Sequence, residues 1–262
     1  MAAGDAPGAG GADRRAAVQR YYRAVAALYD REPADRGERF WAAVAAEHPG
    51  GRVLELGAGT GWVTALLAPH AARVVAVDLS LDMLQRARRR LAGARNVVLV
   101  LADMRDAAFD ARFDLVVSAD ADGHLLTDDD RARTLAQVAR HLAPGGRFVL
   151  DALWLAPKAA AAAAAGRYVC ERAARRGGAP LRVREVWRCD PRTRRCTVRY
   201  EYRLRGRAPI AAECQVRYWS LDELRAQCAL AGLRIEGVWG GFDRAPWDEY
   251  RSSRLLVQAR RA

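Results

Sequence analysis

Apolar residues first recur at helical spacing. Between residues 13 and 29, Ala17, Val18, Tyr21, Tyr22, Val25 and Leu28 return every three or four positions, which predicts a helix. The stretch YDREPADRGERFW then turns the chain into a second helix running through Val44, and His48-Pro49-Gly50-Gly51 ends it. From there, short apolar runs alternate with amphipathic ones. RVLEL, RVVAVDLS, NVVLVLADM, FDLVVSAD and RFVLDAL read as strands. WVTALLAPHA, LDMLQRARRRLAG and DDDRARTLAQVARHLA read as helices. Gly93 closes the second of these. The third opens on acidic residues, which suit the positive end of a helix dipole, and stops at Pro144-Gly145-Gly146. Strands alternating with helices predict an α/β fold, a parallel sheet with helices on both faces and ligands at the carboxyl ends of the strands. Gly57, Asp78, Asp103 and Ser118 fall at such ends.

After Asp151 the period changes. APKAAAAAAAGRYVCERAARRG is alanine-rich and reads as helical, or as partly disordered around Gly166. LRVREVWRCD and RRCTVRYEYRLR alternate with period two and are joined by a turn at Pro191. Val198, Tyr200, Tyr202 and Leu204 share one face of the second run, with Arg199, Glu201, Arg203 and Arg205 on the other. ECQVRYWS adds a third strand, giving an antiparallel insertion packed against the main sheet. Ser220 and Glu223 have the spacing of a capping box, Gly232 closes that helix, and LRIEGVW and RLLVQARR form the last two strands.

The chemistry concentrates in residues 52–67, RVLELGAGTGWVTALL. A strand feeds a helix through Gly57, Gly59 and Gly61. Missing side chains let a ligand approach the backbone, and free N–H groups at a helix start can meet an anionic group. The spacing is Gly-x-Gly-x-Gly with Glu55 just ahead, which differs from the Gly-x-Gly-x-x-Gly of dinucleotide-binding turns. The next strand ends in Asp78, about 20 residues on, where a nucleoside-binding βαβ unit carries its ribose-binding acid.

ELGAGTG followed by VDLS, LADM and LAPGGRFVL resembles the class I S-adenosylmethionine-dependent methyltransferases, and among them the small-molecule N-methyltransferases of the glycine and aminosugar type. The resemblance runs along the whole chain and is strongest over residues 52–151. It implies a Rossmann-like seven-stranded, mostly parallel sheet with helices on both faces, here with an antiparallel β insertion after the fifth strand. It implies S-adenosyl-L-methionine as cofactor and a small-molecule methyl acceptor, an amine or a hydroxyl, methylated by in-line displacement. It divides the chain into a disordered tail (1–13), N-terminal lid helices (14–50), a cofactor-binding core (51–155), a helix with the antiparallel insertion serving as acceptor cap or dimer surface (156–219), and a C-terminal helix with the last two core strands (220–262).

The resemblance also assigns residues. Gly57, Ala58 and Gly59 would pass under the methionine part of the cofactor, with Glu55 fixing the turn from below. Asp78 would accept hydrogen bonds from the ribose hydroxyls, unless it only caps the next helix, a task Ser80 can perform. Leu79 and Met83 would flank the adenine, or simply be core. Asp103 and Met104 would meet the adenine amino group and ring, and Ser118 completes the cofactor set. His124, just past the fourth strand, would accept a proton or position the acceptor; an unperturbed pKa near 6.5 suits the first role. Its plain alternative is a histidine bonded to loop backbone. Tyr29, in the Tyr29-Asp30 pair, would lie near the transferring methyl, or only pack, and Tyr22 carries the same choice. Trp62 would face the sulfonium or pack under its helix. Asp120 and Asp122 would attract a cationic amine or form an exposed acidic loop. The Asn-Pro-Pro-Tyr-type tetrapeptide of methylases acting on nucleobase or glutamine amides is missing, which counts against those acceptors.

The remaining features narrow the partners. Net charge is +12, and Lys158 is the only lysine, so 42 arginines carry the positive charge, spread along the chain without a basic block. Charge alone would favour RNA, and an RNA methyltransferase is the first alternative; a non-catalytic S-adenosylmethionine-binding protein is the second. A nucleic-acid partner is not expected from scattered arginines, and the Arg182, Arg184, Arg199 and Arg203 face reads as a solvated sheet face. No apolar run approaches the ~20 residues of a membrane span, and the start lacks a signal-peptide pattern, so a cytoplasmic protein is expected. The five cysteines show no Cys-x-x-Cys pair, so no metal site is expected. Cys189 and Cys196 can meet across a hairpin, although reduced thiols are expected in the cytoplasm. His48, His70 and His141 read as surface residues.

Overall fold

The computed structural model describes residues 9–32, 35–174 and 180–262. Two helices come first, α1 (Ala9–Tyr29) and α2 (Glu38–Ala46). The cofactor half follows as β1 (Arg52–Leu56), α3 (Trp62–Leu67), β2 (Arg73–Asp78), α4 (Leu81–Arg90), β3 (Val97–Leu101) and β4 (Phe113–Ala119). A 3-10 turn, Asp122–His124, leads to α5 (Asp128–His141) and β5 (Leu142–Ala152). Then come α6 (Pro157–Ala164), β6 (Tyr168–Ala174), β7 (Leu181–Asp190), β8 (Arg195–Leu204) and β9 (Ile210–Arg217). The chain closes with α7 (Leu221–Leu230), β10 (Leu233–Trp239) and β11 (Leu255–Arg261).

The main sheet has seven strands in the order β10-β11-β5-β4-β1-β2-β3. β1 pairs parallel with β2 and β4, while β11 runs antiparallel to both β5 and β10. The strand order reverses between β1 and β4, so their carboxyl ends open the crevice where ligands bind in such sheets. Apolar residues cover both faces. Leu135 and Val138 of α5 and Leu224 and Cys228 of α7 fill one side; Phe40, Trp41 and Val44 of α2 and Leu67 of α3 fill the other. Thr127 caps α5 by accepting the Asp130 N–H, and the Asp130 carboxylate reaches back to the Thr127 N–H, a complete capping box.

A second sheet, β6-β7-β8-β9, is antiparallel throughout. Its apolar face (Val183, Trp187, Val198, Tyr202) buries Tyr21, Val25 and Leu28 of α1 and Ala163 of α6. The insertion therefore packs on α1 and α6, where alternation alone had suggested the main sheet. Each fully buried aliphatic side chain in that seam contributes roughly 1.5–3 kcal/mol, which fixes α1 over the crevice.

Other expectations change as well. Helix α1 begins at Ala9, inside the stretch expected to be a disordered tail; residues 1–8 lie outside the described residues. The alanine-rich stretch is helical only to Ala164, and YVCERAA forms β6 because its residues pair along β7. Ser220 caps α7, but the Glu223 side chain is drawn away by Arg131 and Arg194, so only half of that capping box forms. Cys189 and Cys196 face each other across β7 and β8 and form a disulfide, contrary to the expected free thiols; the register, with Cα atoms 4.0 Å apart, brings them together. His141 is buried, its Nε2 accepting from the Phe109 N–H and its Nδ1 donating to the Gln137 carbonyl. Helix α5 ends with its last turn facing the core, so this histidine is not at the surface.

Candidate functional site

The glycine turn follows β1. Gly57, Gly59 and Gly61 have φ of +79°, +54° and +75°, the left-handed region that disfavours any side chain. A Cβ on Gly57 would also fall on that of Ala121, in the loop after β4. One on Gly59 would meet open space, so there only the backbone conformation favours glycine. Asp78, at the tip of β2, accepts from the Gly59 N–H at 2.7 Å and the Ser80 N–H at 2.8 Å. Burial raises its pKa, and these backbone donors oppose the rise. Ser80 accepts from the Met83 N–H and so caps α4, leaving Asp78 free of that task.

Beside Asp78 lies a cleft of about 80 Å³ bordered by Leu79, Met83 and Met104 below and by α1 above. The carboxylate keeps lone pairs for a vicinal diol, the three apolar side chains suit a flat ring, and the glycine turn leaves its backbone open. Together these residues fit S-adenosylmethionine. Ala58 is buried within the turn. Glu55 is buried beneath it and accepts from Thr64 Oγ1 at 2.5 Å; burial pushes its pKa up to about 8, so it carries its proton at neutral pH.

Asp103 stands at the far rim of this cleft. Its Oδ1 accepts from the N–H and Nε of Arg105, and its Oδ2 accepts from Arg105 Nη2 at 2.6 Å and pairs with Arg15 Nε at 2.7 Å. Burial works to raise its pKa, but the Arg105 hydrogen bonds and the charges of Arg105 and Arg15 outweigh it and hold the group below its ordinary value. Ser118 is buried on β4 and borders neither this cleft nor the cavity beyond it; Ala119 and Asp120 occupy that rim in its place.

A larger cavity of about 380 Å³ opens past Gly57 and Gly59. Tyr22, Tyr29, Asp120 and His124 border both spaces and so stand at their junction. Tyr29 ends α1 with the Arg36 guanidinium 5.0 Å from its ring centroid; burial drives its pKa well above 10. Asp30 ties α1 to the glycine turn, accepting from Thr60 Oγ1 at 2.6 Å and pairing with Arg90. Trp62 has the Arg90 and Arg36 guanidiniums over its ring, so its cation partners are already within the chain.

The loop after β4 separates its two aspartates. Asp122 is buried, accepting from the Leu153 N–H at 3.1 Å and from Trp219 Nε1. Burial pushes its pKa up to about 6. It anchors the loop and does not face an acceptor. Asp120 holds a left-handed backbone at φ +51°, and its side chain opens on both spaces. Among the described residues no hydrogen bond or ion pair reaches its carboxylate. Burial raises its pKa, opposed by the charges of Arg254, Arg36 and Arg172. His124 Nε2 lies 2.9 Å from Tyr22 Oη, and its Nδ1 lies 3.3 Å from the Gln215 carbonyl of β9. Burial pushes its pKa down to about 4, so the ring is neutral near pH 7.

Sequence reasoning missed most of the far wall. Glu32, Glu185, Arg172, Tyr200 and Arg254 border the large cavity, brought there by the α1–α2 loop, the second sheet and the segment before β11. Glu32 accepts from Tyr202 Oη at 2.9 Å; Glu185 accepts from Trp187 Nε1 at 3.0 Å and pairs with Arg172. Arg254 donates to Asp151 at 2.7 Å. One signal was legible: Glu185 interrupts the inward row Leu181, Val183, Trp187, Cys189 of β7, where a charge is not expected without a purpose. Six carboxyl groups and three guanidiniums border this cavity; burial keeps Glu55 protonated and pushes the Asp151 pKa up to about 8 as well.

The chain is similar to known methyltransferases. The family of methyltransferase domains matches residues 53–146. The cypemycin N-terminal methyltransferase of a Streptomyces species is 32% identical over 224 residues, covering 79% of this chain and 82% of that protein. The dTDP-3-amino-3,4,6-trideoxy-alpha-D-glucopyranose N,N-dimethyltransferase of Streptomyces venezuelae is 34% identical over 103 residues, 39% of this chain and 42% of that one. Among solved structures, the CcbJ methyltransferase from Streptomyces caelestis superposes with a TM-score of 0.77 at 25% identity, over 91% of this chain and 96% of that one.

Proposed function

The chain belongs to the S-adenosyl-L-methionine-dependent methyltransferases, and within that family we propose that it methylates an amine of a small molecule. The observation that carries this reading is Asp120, an unpaired carboxylate at the junction of the two spaces in a chain of net charge +12. A protonated amine would be drawn to it in preference to a neutral hydroxyl. Tyr21, Tyr22, Tyr29 and Tyr200 add aromatic wall that tolerates a cation. Two of the similar proteins act, by their names, on amines: a peptide N-terminus and an aminosugar.

When bound, S-adenosylmethionine supplies an electrophilic methyl group on a sulfonium. The chain has to hold the acceptor in line and exclude water, which well-oriented pairs turn into roughly 7–11 kcal/mol. Helix α1 and the second sheet close over the cavity for that purpose. An ammonium must shed a proton before its lone pair can attack. The amine sheds that proton to bulk water before it is enclosed, because burial pushes the His124 pKa down to about 4 and makes it too weak a base to take it; Tyr22, its hydroxyl held on His124 Nε2, turns its phenol oxygen to the amine N–H and orients the lone pair. Glu55, holding its own proton, braces the glycine turn without adding a charge.

The RNA alternative rested on charge. Arg184, Arg199 and Arg203 on the outer face of the second sheet pair with Glu171, Glu213 and Glu201, which supports reading that face as solvated. No helix among the described residues is long and apolar enough to cross a membrane.

The test is a turnover assay with S-adenosylmethionine against matched amine and alcohol acceptors, reading S-adenosylhomocysteine release. Turnover of amines alone is expected. Turnover of alcohols at equal or greater rate would overturn the amine assignment, and cofactor binding without turnover on any acceptor would favour the non-catalytic alternative.

A further inference from the structure

Helix α1 roofs the cofactor cleft, and one face of it is tied to the cleft's rim at regular steps. Arg15 pairs with Asp103 at 2.7 Å and with Asp106. One turn on, Gln19 Nε2 donates to the Leu79 carbonyl at 3.2 Å. One turn further, Arg23 lies 3.7 Å from Asp82. Residues 15, 19 and 23 share a face by helical spacing. Their partners sit on the loop after β3 (Asp103, Asp106), the loop after β2 (Leu79) and the first turn of α4 (Asp82). The apolar seam holds α1 to the second sheet; the polar row holds it down on the cofactor half.

The cleft beneath is about 80 Å³, small against the roughly 300–1,000 Å³ of ligand clefts. A nucleoside does not enter it while α1 stays down. Within the polar row, Arg15 holds one oxygen of Asp103. Arg105 holds the same carboxylate, but it is fixed from behind by Asp130 and both are buried. Arg15 is 40% exposed and is the partner free to leave.

The lid role of the N-terminal helices is what the resemblance implies; beyond it, we infer that the Arg15–Asp103 pair is the latch that sets how often α1 lifts from the rim. The proposal is independent of the acceptor assignment. A half-exposed ion pair of this kind weakens as salt rises, because added ions screen it. Opening serves entry and exit alike, so loosening the latch speeds both.

The experiment is stopped-flow binding of S-adenosylhomocysteine, followed by tryptophan fluorescence, with hydrogen exchange of the unliganded protein alongside. In Arg15→Gln, association and dissociation rates are both expected to rise roughly two- to fivefold, with the dissociation constant little changed. The wild-type rates are expected to rise with salt and those of the variant to stay flat. Amides of residues 16–22 should exchange faster in the variant. Asp106→Asn, which removes one Arg15 partner and leaves Asp103 intact, should show a smaller shift in the same direction. Arg147→Gln, whose partner Glu236 lies on β10 and, among the described residues, makes no pair with α1, should match wild type. A rise in dissociation alone would overturn the latch, since it would make Arg15 a direct ligand contact. Unchanged rates and unchanged exchange in both Arg15→Gln and Asp106→Asn would overturn it too.

Discussion

The phenol oxygen of Tyr22 lies 2.9 Å from Nε2 of His124. The Gln215 carbonyl can only accept, so the ring hydrogen of neutral His124 sits on Nδ1 and points there. Nε2 is then bare, and Tyr22 donates to it. The basic nitrogen of His124 is thereby covered by Tyr22, which faces the acceptor cavity. Tyr22→Phe should lower kcat/KM for an amine roughly 100-fold, with affinity for S-adenosylhomocysteine within about twofold of wild type. His124→Gln should cost a similar amount, and the double variant much less than the product of the two, as for members of one chain of hydrogen bonds. Steady-state kinetics of the three variants check this. Full activity in Tyr22→Phe would remove the Tyr22–His124 pair from the positioning of the amine.

Asp120 is the acceptor's proposed counter-charge. Asp120→Asn keeps its size and tolerates the left-handed backbone at φ +51°. The expected result is a KM for the amine raised by about tenfold or more, in line with the ~1.5–3 kcal/mol of a hydrogen bond to a charged group. Melting temperature and cofactor affinity should hardly move. Equal KM values in the two proteins would place the amine elsewhere.

Glu55 gives a pH dependence with a definite sign. Its native pKa of about 8 lies above the 4.5 it has when unfolded, because burial disfavours its charge. Between those values the unfolded chain releases a proton that the native state keeps. The unfolded state then binds fewer protons, so this group's contribution to stability falls as pH rises from about 4.5 to 8. Glu55→Gln removes that loss. Its stability relative to wild type should therefore grow across the same window, by on the order of 2–4 kcal/mol at pH 8. Thermal unfolding of both proteins from pH 5 to pH 8 decides it, and parallel curves would contradict the assignment.

Trp219 links the catalytic loop to the core. Its Nε1 donates to Asp122, two residues from His124, and its ring lies 3.6 Å below the buried Arg131 guanidinium. Trp219→Phe keeps the stacking and deletes the donor. A loss of about 1–3 kcal/mol in unfolding free energy is expected from the under-satisfied carboxylate. Turnover should fall more than acceptor affinity, since the loop carries His124. Urea unfolding together with kinetics below the melting transition separates the two effects.

The sequence by itself determined the main sheet, the glycine turn and the tip residue Asp78. Each is a local matter: period-two and period-3.6 patterns fix elements, and glycine best suits the three left-handed positions 57, 59 and 61. It did not decide the acceptor side. Glu32, Glu185, Arg172 and Arg254 come from segments up to more than 200 residues apart, and nothing local brings a strand of the second sheet to face the tip of β4. Tyr22 and Tyr29 had the same apolar helical spacing as Val25 and Leu28. Only the crossing of α1 between two sheets turned those two toward the crevice and the others into the seam. The same crossing set Arg15 against Asp103. Asp120 and Asp122, equivalent on paper, parted because one backbone turned left-handed into the cavity while the other carboxylate was captured by Trp219, 97 residues on.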